Sequence, residues 1–214
     1  MTMVDPLATT LSAQPVPTEL SGLDLHAGDH VCAFYRGAAE RDDILIPFLL
    51  GGLKSGGKCT CVVDSCSPGD VLRRLTAEID AQSYVDDCQL EVLDSDATYF
   101  ATGSFLPEQM LCFWEAKALA CRSDGSTVTR NIGDMSWAHR DKPGVELLAN
   151  YESELNRVMG NVPQINMCLY DLNRCGGELI LDVLKTHPKA MLGGMIIDNP
   201  YYLEPDEFLA TRAR

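Results

Sequence analysis

GDHVCAFYRGAAERDD, residues 28–43, reads as a short strand, a loop and the start of a helix. His30–Tyr35 is apolar at most positions, as a strand buried on both faces must be. In α/β proteins the joint after such a first strand is where phosphate-binding glycine loops sit, because the amides of the loop and of the helix N-terminus face an anion there. A phosphate loop also needs a lysine and a hydroxyl in a GK[ST] ending. RGAAERDD offers one glycine, no lysine, no Ser or Thr, and three acids, Glu40, Asp42 and Asp43, that repel a triphosphate. The joint is expected to keep the geometry of a phosphate site as a degenerate phosphate loop, without ATP hydrolysis.

Working outward, Asp42 or Asp43 is expected to cap a helix carrying Ile44, Leu45, Phe48, Leu49 and Leu53, with Pro47 early and Gly56-Gly57 at its end. Further buried strands are predicted at Cys59–Asp64, Gln89–Leu93, Thr127–Ile132 and Ile165–Tyr170, and a hairpin at Ala190–Asp198 around Gly193-Gly194. Between them, Ser67-Pro68 opens a helix burying Val71, Leu72, Leu75 and Ile79. Pro107 opens another, with Met110, Leu111, Trp114 and Leu119 inward, closing near Asp124-Gly125. A long helix from Pro143 to Met159 has Leu147, Leu148, Tyr151 and Leu155 on its apolar side, and a last one ends at His187-Pro188, where a histidine charge suits the helix terminus. Strands alternating with helices of this length imply an α/β fold, a mostly parallel sheet flanked by helices on both faces. Residues 1–22, rich in Thr, Ser and Pro without periodicity, read as a flexible arm, and 23–214 as one domain.

The 214 residues are 46% hydrophobic and 22% charged, a globular composition, and the net charge is −14 with a pI near 4.5. So negative a body disfavours direct contact with nucleic acid and with anionic membranes. No apolar run approaches the ~20 residues that span a bilayer, and the start lacks a secretory signal. A cytoplasmic location is expected. The nine cysteines show no CxxC pair or zinc-finger spacing, so reduced, buried thiols are expected, with no metal and no cofactor.

Functional groups of such a sheet gather at the carboxyl ends of the strands. Asp134 and Trp137 pair a carboxylate with a broad apolar wall. His30 and Cys32 share one face of the first strand, Tyr35 stands at its exit, and Cys168 and Tyr170 alternate on the fifth. Each also has a structural reading: a bonded histidine, buried thiols, core aromatics. No GxSxG elbow or HExxH is present, and no catalytic residue is assigned.

GDHVCAFY, CVVD, QLEVLDSDATYF, GDMSWA, a helix with Tyr151, Glu152, Leu155 and Asn156, CLYD, KTHP and NPYY follow one another from about Gly28 to Phe208. This series resembles the MEDS sensory domain of methanogen and methylotroph regulators, a relative of RecA/KaiC-type ATPases. The resemblance implies a RecA/KaiC-like fold and ligand sensing without catalysis. The ligand is then expected to be a small, mostly apolar, hydrocarbon-derivative-like molecule, with His30, Cys32, Tyr35, Asp134, Trp137, Cys168 and Tyr170 as the candidate residues holding it at the strand ends. Two departures stand out. Relatives often carry glutamate where this chain has Asp134, and they commonly have an output domain that does not follow here. The partner is then expected to be a separate signalling protein of kinase or anti-sigma type, and a homodimer is compatible. Two further readings stay open: a thiol/histidine sensor of metal or redox state built on His30, Cys32 and Cys168, and a pure interaction module.

Overall fold

His30–Tyr35 is a strand with all six residues buried, set inside an eight-stranded sheet. The computed structural model describes residues 15–16, 20–22, 24–123, 128–160 and 163–212. In chain order the strands are β1 (Ser21–Gly22), β2 (His30–Tyr35), β3 (Lys58–Val63), β4 (Leu90–Asp94), β5 (Thr129–Asp134), β6 (Gln164–Asp171), β7 (Lys189–Leu192) and β8 (Met195–Asp198). The helices are α1 (Gly37–Lys54), α2 (Pro68–Thr76), α3 (Ala81–Asp86), α4 (Ser95–Thr98), α5 (Pro107–Ser123), α6 (Leu148–Met159), α7 (Gly177–Thr186) and α8 (Pro205–Arg212).

The sheet order is β1-β8-β7-β2-β6-β5-β3-β4. Every pair is parallel except β7 with β8, the predicted hairpin. One apolar core packs α1, α2 and α3 on one face of the sheet, through Phe48, Leu49, Leu75 and Ala81. The other packs α5, α6 and α7 on the opposite face, through Trp114, Tyr151, Leu155 and Val183. The alternation of strands and helices is therefore realised as a mostly parallel sheet covered on both sides. Within the predicted arm, Val16 bridges Leu25, and Ser21–Gly22 pairs with β8. Residues 1–14 and 17–19 of the arm, and the turn at Asp124-Gly125, lie outside the described residues.

Four local expectations are corrected. α1 begins at Gly37 and not at Asp42, because the Arg36 amide donates to Glu40 Oε2 at 2.7 Å and starts the helix at once. Arg36 alone therefore separates β2 from α1, and Pro47 falls inside the helix. Leu119 is half exposed, because α5 turns Met110, Trp114 and Ala118 inward at four-residue spacing and Leu119 lies a further 100° round. The helix predicted from Pro143 is interrupted: Val145–Leu147 forms a 3₁₀ turn before α6, leaving Leu147 partly exposed.

Gly144 causes that break. Its φ is +90°, and the neighbouring Phe105 N–H donates to Pro143 O at 2.8 Å, clamping the turn against the segment before α5. A Cβ at Gly144 would stand 2.1 Å from Phe105 O, a backbone atom that cannot swing away. Gly144→Ala combines a left-handed φ with that clash and is expected to lower stability by roughly 2–3 kcal/mol. A shift of the urea midpoint at unchanged slope checks it; an unshifted midpoint means the turn relaxes freely.

Candidate functional site

The carboxyl ends of β2, β3 and β5 are tied together by one buried carboxylate. Asp134 Oδ2 accepts from Ser65 N at 2.7 Å, Ser65 Oγ at 2.5 Å and Asp64 N at 3.3 Å. Its Oδ1 accepts from Ser136 N at 3.1 Å, Ser136 Oγ at 2.7 Å and Tyr35 Oη at 3.4 Å. Ser136 follows because Asp134 caps the 3₁₀ turn Met135–His139. Around this latch, Arg41 Nη1 donates to Ser65 Oγ at 2.7 Å, while Asp64 pairs with Arg140 and accepts from Ser95. Burial, and next the Asp134 charge, push the Tyr35 phenol up to about 12, so it remains a donor. Six internal donors fill the carboxylate's acceptor positions.

The same turn carries Trp137 away from the strand ends. Its ring is fully buried between Tyr99, Phe100 and Phe105, with centroids at 4.8, 5.4 and 4.6 Å. Trp137 stands in an aromatic core.

A second polar group lies beneath α6 and α7. His30 opens β2, Cys168 sits in β6, Glu152 projects from α6 and His187 follows α7, and all four are buried. Glu152 Oε2 lies 3.2 Å from His30 Nε2, 3.5 Å from His187 Nε2 and 3.6 Å from Cys168 Sγ. Cys168 Sγ is 3.5 Å from His30 Nε2, and Tyr170 Oη donates to Glu152 Oε1 at 2.9 Å. Burial, then the neighbouring His30, holds His187 down at about 3, so it is neutral, correcting the charged helix-end reading. Burial and the Glu152 charge push the Cys168 thiol well up. Cys32 faces the same side but points its Sγ at Lys189 O, 3.6 Å away.

Open space lies elsewhere along the strand ends. β2 is followed by a crossover to β3 on one side, while β7 flanks it on the other, which makes its carboxyl end a switch point where a crevice opens. A cavity of about 650 Å³ there is lined by Phe34, Arg36, Glu40, Leu172 and Met191 among others. Next to it, sharing Phe34, Leu172 and Leu192, is an apolar-walled cavity of about 240 Å³ lined also by Ile180, Leu184 and Tyr201.

The seven residues singled out in the sequence thus separate into three places. Tyr35 and Asp134 share the latch; His30, Cys168 and Tyr170 share the buried cluster, with Cys32 beside it; Trp137 is in the aromatic core. Sequence reasoning missed Glu152, Asn156 and His187. The available signal was Glu152 and Asn156 at i, i+4 alongside Leu148 and Leu155, polar residues on the inward side of an amphipathic helix.

Comparison with known proteins fits this architecture. The family described as "MEDS: MEthanogen/methylotroph, DcmR Sensory domain" matches residues 29–188. The chain is 30% identical over 174 residues to the transcriptional repressor DcmR of Methylorubrum extorquens, covering 79% of this chain but only 62% of the repressor. Among solved structures, KaiC-like protein PH0186 from Pyrococcus horikoshii OT3 superposes with a TM-score of 0.58 at 12% identity, covering 83% of this chain and 79% of that one. Protein PH0321 of Pyrococcus horikoshii, solved with an unknown peptide, gives 0.61 at 12% identity and 78% of each chain. The fold is RecA/KaiC-like. No helix among the described residues is long and apolar enough to cross a membrane.

Proposed function

The chain belongs to the MEDS sensory-domain family, and from that premise we propose a non-catalytic sensor that binds a small, mostly apolar molecule at the carboxyl ends of β2 and β6. Occupancy is passed to a signalling or transcription protein, as the relationship to a repressor suggests. The observation carrying this reading is the apolar cavity of about 240 Å³ beside Phe34, at the switch point where α/β sheets take ligands.

The chemistry around it argues against nucleotide turnover. A phosphate loop wraps its anion with several consecutive residues and a lysine, whereas here only Arg36 joins β2 to α1 and Glu40 and Asp43 line the adjoining cavity. Asp134, on the strand where such ATPases hold magnesium, spends both oxygens on internal donors. Tyr35, Asp134 and Ser65 then serve the reading as the rigid floor that carries a change at β2 to β3 and β5.

Thermal denaturation against a panel of short halogenated, one-carbon and hydrocarbon-like compounds tests the proposal. A ligand at a hundred times its Kd adds about 2.7 kcal/mol. Leu184→Trp, which fills the cavity, is expected to abolish that gain while leaving the protein folded. Failure of every compound to stabilise the wild type, or equal stabilisation of Leu184→Trp, counts against it. ATP with magnesium is expected to add nothing.

A further inference from the structure

We propose that His30, Glu152, Cys168 and His187 bind one divalent transition-metal ion, with Zn²⁺ the best match to the donors. The inference is independent of the ligand reading above.

The first argument is the orientation of the two imidazoles. Asn156 Nδ2 is committed to the carbonyls of Glu152, Ser153 and Thr186 at 3.1, 3.2 and 2.8 Å, which leaves its Oδ1 as the acceptor 3.1 Å from His30 Nδ1. His30 Nδ1 therefore carries the hydrogen. His187 Nδ1 lies 2.8 Å from Val183 O, an acceptor only, so it too carries the hydrogen. With each Nδ1 committed outward, Nε2 is the inward nitrogen of both rings, and both aim it at Glu152 Oε2. Outer Nδ1–H bonds that fix inner Nε2 donors are the usual support of metal-ligating histidines.

The second argument is the electron pairs left over. Two imidazole lone pairs, a carboxylate oxygen and a sulfur converge in a space closed to solvent, with the four donor atoms within 4.8 Å of one another. One proton between His30 and Glu152, or a thiol hydrogen from Cys168, relieves a single contact. His187 Nε2, fully buried, has no hydrogen-bond partner. A cation at the centre answers all four at once. With a carboxylate and a thiolate a dication also makes the site neutral, which removes the cost of an uncompensated buried charge.

The third argument is size. A tetrahedron with bonds of about 2.0–2.3 Å to N, O and S has edges of about 3.3–3.8 Å. Four of the six edges here measure 3.2, 3.5, 3.5 and 3.6 Å, so the donors need little adjustment. Mixed nitrogen, sulfur and oxygen donors suit Zn²⁺ and the neighbouring first-row ions rather than Ca²⁺ or Mg²⁺. The ion would clamp α6 and the end of α7 onto β6 and onto β2, whose His30 lies 138 residues from Cys168.

The test uses the full chain, purified without a histidine tag, stripped with chelator and titrated with Co²⁺ and then Zn²⁺. One equivalent of Co²⁺ per chain is expected, with the intense visible bands of a tetrahedral ion and a thiolate-to-cobalt band in the near ultraviolet, both displaced by Zn²⁺. Zn²⁺ is expected to raise the wild-type Tm by roughly 5 °C or more. Cys168→Ser should lose the thiolate band, and His187→Ala should weaken binding at least ~100-fold. Cys175 and His139 form an accessible pair at 3.7 Å, so Cys175→Ser is the control and should change nothing. The proposal is overturned if folded wild-type protein takes up no equivalent, if the thiolate band survives in Cys168→Ser, or if it vanishes in Cys175→Ser. If Cys168→Ser does not fold, the wild-type stoichiometry, the thiolate band and its persistence in Cys175→Ser still decide.

Discussion

Asp134→Ala is expected to cost about 4 kcal/mol of unfolding free energy, seen as a large fall in the denaturant midpoint. The carboxylate is 1% exposed and accepts from three backbone amides and three hydroxyls. Hydrogen bonds to an ionised group contribute roughly 1.5–3 kcal/mol each, and donors stranded in a buried joint add a desolvation cost. Alanine strands the amides of Ser65 and Ser136 at the ends of two different strands. Asp134→Asn keeps the shape but turns an NH₂ towards donors on one side, so about half the loss is expected. A fall below ~1 kcal/mol for alanine would mean that water takes over these bonds and that the strand ends are not held by this residue.

Asp134 also shows how far the sequence could be read. A carboxylate at the end of a buried strand is legible, because strand ends are where polar groups of a parallel sheet collect. Its partners are not, since Ser65 and Tyr35 reach it across 69 and 99 residues of chain. His30 with Cys168 and Tyr170 is legible for a related reason: alternation along two strands puts all three on one face, and register brings Cys32 opposite Cys168. Glu152 escaped because a charged residue on a helix is by default solvated, and only its neighbours Leu148 and Leu155 betray an inward position. His187 escaped because one histidine after a helix has an ordinary explanation as a cap, whereas its burial and its Val183 contact are tertiary facts. The start of α1 was misplaced by a bond, Arg36 N to Glu40, that competes with capping by Asp42 and leaves no trace in periodicity.

Trp137→Ala is expected to lower stability by about 3–5 kcal/mol. The indole is wholly buried, within stacking or edge-to-face distance of Tyr99, Phe100 and Phe105, and Tyr99 and Phe105 are themselves buried against neighbours that cannot collapse inward. Deleting it forfeits both the transfer energy and the ring contacts, and opens a cavity between α5, α6 and the sheet. Trp137→Phe is expected to cost only about 1–2 kcal/mol, because Nε1 has no hydrogen-bond partner and its loss removes a buried unsatisfied donor along with the ring volume. The alanine variant should in turn regain stability on adding indole or benzene, since a dry, aromatic-lined hole binds such molecules, while the wild type should not respond. This pair of measurements separates two roles for the residue. A Trp137 that walls a ligand site leaves stability nearly unchanged on truncation and loses response to the natural ligand. A Trp137 that fills the core does the reverse, and full burial among three aromatic rings selects the second outcome.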